Sequence, residues 1–132
     1  MRSWLLIFGG MLLIATGIAH ALAAWPPLRR SLESYACPGE LIGAVGAGWT
    51  FGSVAMITFG FLVLCDGWRL RSGHRVAIAS ASTVGAAFLA FGVMSWMMVN
   101  LRPHYLVYVG LGLLVGLPCL IHSQVVERRE VG

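Results

Sequence analysis

Four long apolar runs separated by short polar stretches set the pattern of this chain: 4–24, 41–65, 76–99 and 104–122. Each is close to the ~20 residues that a helix needs to cross a hydrocarbon core of ~30 Å. No Asp, Glu, Lys or Arg interrupts the middle of any run. The regular polar/apolar alternation of a barrel wall is missing. The pattern predicts an all-α integral membrane protein. It forms one domain over 1–132, a four-transmembrane-helix bundle with one short interfacial segment in its outer loop.

That outer loop, 25–40, is the only long connection. Pro26 and Pro27 suit a helix start. A helix there puts Leu28, Leu32 and Tyr35 on one side and Arg29, Arg30 and Glu33 on the other, the pattern of a helix lying in a membrane interface. Pro38 and Gly39 then turn the chain into the second span. The connection 100–103 is tight, so spans three and four are expected to be antiparallel neighbours. Pro118 withholds an N–H from the Leu114 carbonyl and predicts a bend in the fourth span. The first run also resembles a secretory signal, with small-x-small triplets at Ala19-His20-Ala21 and Ala21-Leu22-Ala23. The reading adopted is an uncleaved span.

Composition agrees with a membrane solvent. The chain is 58% hydrophobic and 11% charged, with a mean hydropathy of +0.83. A soluble domain carries roughly 25% charged residues. A soluble enzyme, a disordered chain and a nucleic-acid-binding module are all excluded. The net charge is +4, and all nine basic residues are arginine. Arg2, Arg69, Arg71, Arg75, Arg128 and Arg129 fall on one side of a four-span topology, and Arg29, Arg30 and Arg102 on the other. Six against three predicts cytoplasmic N- and C-termini. Arginine without lysine, beside abundant Ala and Gly, suits a GC-rich genome. The expected location is a bacterial cytoplasmic (inner) membrane. Arg69, Arg71 and Arg75 share a loop with Asp66 and His74, read as solvated and touching anionic lipid headgroups. Trp4, Trp25, Trp68 and Trp96 lie near run ends, as in an interfacial aromatic belt. Trp49 lies deeper and reads as a packing residue.

Small residues recur at four-residue spacing. Ala44, Gly48 and Gly52 form one stripe, Ala77, Ala81 and Gly85 a second, and Gly112 and Gly116 a third below Tyr108. Helices in lipid associate by close packing, which such stripes permit. They serve packing within the bundle, or docking onto other integral membrane subunits. The cysteines Cys37, Cys65 and Cys119 form no C-x-x-C pair and read as small hydrophobes.

Polar groups gather at the predicted outer end. Gly9, Leu13, Thr16 and His20 share a face of the first helix that should look inward, since polar groups facing lipid are costly. Glu40 heads the second helix, on the stripe of Ala44 and Gly48. Asn100 and His104 flank the outer turn, and Tyr105 and Tyr108 follow. His20, Glu40, Asn100, His104 and Tyr108 are thus the candidate residues of an outer ligand pocket, with His20 and Glu40 expected in hydrogen-bonding or water-bridged reach. Each has a plainer role as well. Glu40 suits the positive end of a helix dipole, and His104 and Tyr105 suit the headgroup layer. Haem would require two facing imidazoles; of the two pairs, His20 with His104 puts His104 too near the surface, and His122 with His74 puts His74 in a loop.

No catalytic residue and no metal site is expected. The leading expectation is a non-catalytic subunit that packs against larger membrane partners, as in a respiratory or photosynthetic energy-converting complex. The alternatives are a small membrane protein binding a quinone, lipid or haem near the outer face, and a homo-oligomeric small transporter.

Overall fold

The computed structural model describes residues 2–72, 79–98 and 103–130, without the side chains of Arg2, His104 and 120–130. Every described residue is helical except 35–38 and Ser72, and no strand occurs among them. Helix α1 spans Arg2–Ala19 and passes through a π-helical turn, His20–Ala24, into α2, Trp25–Ser34. Helix α3 is Gly39–Arg71, α4 is Ala79–Met98, and α5 is Leu106–Glu130 after a 3₁₀ turn at Pro103–Tyr105. Three helical stretches, Ser3–Ser34, Gly39–Arg71 and Ala79–Met98, are long and apolar enough to cross a membrane. The apolar part of α5, Leu106–Cys119, is shorter.

Along α1–α2, α3 and α5 the helix outruns the apolar run that announced it. An apolar run marks hydrocarbon thickness, whereas a helix continues until a residue stops it. The first run does not end in a loop, because the chain stays helical to Ser34. Pro26 and Pro27 remove the N–H donors for the Leu22 and Ala23 carbonyls, and the helix widens into the π turn just before them. Helix α2 ends at Ser34, and two residues on Ala36 takes a left-handed φ of 54°. There the Cys37 N–H reaches the Leu32 carbonyl and the Ala36 N–H reaches that of Glu33. Helix α3 runs six residues past Cys65, to Arg71. Helix α5 continues through Pro118 to Glu130.

Two antiparallel helix pairs make the bundle, α1 with α3 and α4 with α5. Glycines set both contacts. A Cβ on Gly10 would lie 2.7 Å from the Gly60 carbonyl oxygen, and one on Gly60 2.8 Å from the Gly10 oxygen. Gly17 meets the Ser53 carbonyl, and Gly67 meets Ile7, in the same way. In the second pair, a Cβ on Gly85 would lie 2.8 Å from the Gly116 Cα, and one on Gly92 2.7 Å from the Val109 nitrogen. The backbones touch, which suits helices that associate by close packing rather than by expelling water.

Between the pairs lies a thin core of Leu6, Leu13, Met56, Val63, Val84, Phe88, Leu111 and Val115. Large apolar side chains such as Phe8, Phe51, Phe61 and Met97 point outward instead. Small residues inside and bulky ones outside are what a lipid solvent favours. The pairs meet unevenly. Helix α1 also packs on α5, and Gly9 lies against Val115, whereas α3 and α4 touch only lightly. That uneven contact leaves room for a cleft.

Candidate functional site

The π turn places His20 where α1 faces α3. The imidazole stacks on Trp49, with ring centroids 4.0 Å apart and planes 9° apart. The Trp49 indole N–H donates to the His20 carbonyl oxygen at 2.8 Å, which ties ring and backbone of one residue to one tryptophan. Trp25 extends the cluster at 6.0 Å from Trp49. It lies so close to Gly46 that a Cβ there would sit 2.9 Å from the Trp25 ring. Aromatic contacts and a glycine thus hold the wide turn against α3.

Below this stack a cleft of about 250 Å³ opens between the helix pairs. Its lining comes from His20 at the start of the π turn, from Gly52, Ala55, Met56 and Phe59 on α3, from Ala87, Phe88 and Phe91 on α4, and from Tyr108 on α5. Rings line it both across the two pairs, through Phe59 and Phe88, and within the α4/α5 pair. Phe59 meets Phe88 edge-on at 6.4 Å, and Phe91 meets Tyr108 edge-on at 5.1 Å. Phe88 and Tyr108 lie 6.2 Å apart. Edge-to-face contacts of this kind fix ring orientation as well as burying area.

The lining is apolar apart from two residues that carry polar groups, His20 with its imidazole and Tyr108 with its hydroxyl. Among the described residues, neither makes a hydrogen bond. No buried polar side-chain atom of the described residues lacks a partner, so both groups remain accessible. A mainly apolar concavity with a few convergent polar groups is the usual form of a small-molecule site. Such a site can seat an apolar body and orient its polar end. Among the described residues there is no group of three or more His, Cys, Asp or Glu placed to hold a metal ion.

The other expected site residues are dispersed. Glu40 is exposed in the first turn of α3, nine residues before Trp49, or about 13 Å along the helix. It forms neither a hydrogen bond nor an ion pair with His20 among the described residues, so the expected pairing is replaced by the Trp49 stack. Asn100 and the His104 side chain lie outside the described residues. Gly52 faces the cleft, where a Cβ would lie 3.8 Å from His20 Nε2. Ala81, Gly85, Gly112 and Gly116 pack inside the bundle. Gly48 has nothing within 4 Å, and Ala44 is exposed. Arg69 and Arg71 are exposed, with the Arg71 guanidinium 4.0 Å over the Trp4 ring. Arg75 and Ala77 lie outside the described residues.

Asp66 corrects the reading of the inner face. It was expected in a solvated loop; it sits inside α3 and is 4% exposed. Its carboxylate accepts the Ser80 hydroxyl and the Ala81 N–H, the latter at 3.1 Å. Trp49 is the other underrated residue: beyond packing, it sets the His20 ring. Comparison with known protein families, with curated proteins and with solved structures yields no match.

Proposed function

We propose that the chain is a non-catalytic, four-span membrane protein that holds a small membrane-dissolved molecule in the cleft between its helix pairs. The carrying observation is the joint presence of His20 and Tyr108, from opposite pairs, on an otherwise apolar cleft, with neither side chain hydrogen-bonded among the described residues. Leaving polar groups unpaired is costly in a medium without water. A resident ligand with a polar end relieves that cost. We take helix α5 as the fourth span, because the apolar run 104–122 that covers most of it is close to the ~20 residues a crossing needs. The arginine distribution supports cytoplasmic termini in a bacterial cytoplasmic membrane.

The test is extraction of small molecules from protein purified out of its native membrane, followed by mass spectrometry. Wild type should carry a defined amphipathic molecule, and Ala55→Phe, which fills the cleft, should lose it. Identical extracts from both proteins would contradict the reading.

A role as an accessory subunit beside larger membrane partners has its own support. The outer half of α3 exposes Gly43, Ala44, Ala47 and Gly48, and no atom lies within 4 Å of a Cβ built on Gly43 or Gly48. A partner helix can approach closely on that face. Gly48→Leu should then release partners while leaving the bundle folded. Unchanged co-purification would remove this role.

A further inference from the structure

The cleft's shape and polarity define the class of molecule more narrowly. We infer that it binds the ring of a para-quinone, an aromatic-sized flat ring with two carbonyl oxygens at opposite edges, whose isoprenoid tail leaves into lipid. This rests on the cleft being a ligand site at all. Three features carry the narrower assignment.

The polar groups are of one kind. Each can donate, a tyrosine hydroxyl through its O–H and a neutral imidazole through one nitrogen, and each can also accept. A ligand that engages both as donors offers two acceptors. His20 belongs to the α1/α3 pair and Tyr108 to the α4/α5 pair, so the acceptors belong at separate points of the ligand. A ring with opposed carbonyls meets that requirement. An acyl chain offers no acceptor along its length.

The walls suit a flat body. Gly52, Ala55 and Ala87 supply shallow surfaces, while Phe59, Phe88 and Phe91 supply rings. The ring contacts at 81° and 84° hold these side chains in fixed orientations. Aromatic faces and edges pack a further planar ring by offset or edge-on contact.

The size suits a headgroup rather than a whole lipid. Sites that enclose a complete drug-sized ligand run to roughly 300–1,000 Å³. A cleft of about 250 Å³ encloses one substituted ring and leaves a long tail outside. The stack on Trp49 holds the His20 ring plane, so the imidazole meets the ligand without first having to be ordered.

The experiment is equilibrium binding to full-length protein in nanodiscs. The probes are decyl-substituted benzoquinone and decanol, which share a tail but differ in the ring. Ala55→Phe, His20→Leu and Tyr108→Phe are compared with wild type, and circular dichroism checks that each variant retains its helix. Saturable binding of the quinone at one per chain, absent for decanol, is the expected result. Tyr108→Phe, which removes one oxygen, should weaken it about fivefold, as expected for one net hydrogen bond. His20→Leu should weaken it by at least as much, and Ala55→Phe should abolish it. Equal binding of decanol, lost in Ala55→Phe but unchanged in Tyr108→Phe, would overturn the quinone assignment and leave the cleft as a lipid site. Absence of saturable binding by either probe, combined with identical native-membrane extracts from wild type and Ala55→Phe, would overturn both.

Discussion

The Asp66 carboxylate accepts the backbone N–H of Ala81 at 3.1 Å and so joins the end of α3 to the first turn of α4. Ser80 donates its hydroxyl to the same oxygen. A negative group at a helix N-terminus satisfies free N–H donors and meets the positive end of the dipole. Because α3 and α4 belong to different pairs and touch lightly, this link is a main tie between the two halves at that end of the bundle.

Asp66→Ala should therefore destabilise the bundle by about 1–3 kcal/mol, the cost of stranding buried donors. Asp66→Asn keeps an acceptor and should cost less. Reversible unfolding in mixed micelles measures both. An alanine variant as stable as wild type would show that the tie contributes nothing.

The glycine contacts yield a second expectation. Gly60→Leu places side-chain atoms where the Gly10 oxygen and Ile14 now lie, within 2.9 Å of the new Cβ, and should separate α1 from α3. Gly48→Leu meets open space and should leave the isolated protein folded. Comparison of the two by thermal unfolding checks the packing; equal effects would contradict it.

Ala36 offers a stabilising change. Its φ of 54° falls where a Cβ is strained by roughly 1–2 kcal/mol, a strain that glycine lacks. Ala36→Gly should raise the unfolding midpoint by an amount corresponding to somewhat under that figure, since glycine also loses more chain entropy on folding. A lowered midpoint would show that the turn is not left-handed.

Topology is tested separately. Cys37 lies in the loop between α2 and α3 and is partly exposed. A membrane-impermeant thiol reagent should label it on sealed cells, and a C-terminal tag should be protected there. A tag reachable from outside would reverse the orientation drawn from the arginines.

Helices were legible in the sequence because apolar runs near 20 residues have few other uses. Their ends were not, and the misplacements share that cause. Asp66 follows the last apolar residue of its run and so reads as loop, yet α3 continues to Arg71 and buries it. Glu40 heads the same long helix and so stands a dozen or so ångströms from the His20–Trp49 stack. The small stripes at four-residue spacing were visible, whereas the α1–α3 contact uses seven-residue spacing: Gly10 and Gly17 against Ser53, Gly60 and Gly67. That period suits nearly antiparallel helices in gentle left-handed crossing, and a search at seven residues would have found it. His20 and Tyr108 were both expected in an outer pocket, and both line the cleft. The phenylalanines of α3 and α4 were not expected there, because apolar residues inside a membrane span carry no local sign of which face they occupy.

Native mass spectrometry of the intact protein, released from the gentlest detergent that extracts it, tests the central claim most directly. The account predicts one bound molecule per chain on wild type and on Gly48→Leu, and none on Ala55→Phe. A bare chain mass for wild type, or the same adduct on all three proteins, would contradict a ligand held in the cleft between His20 and Tyr108.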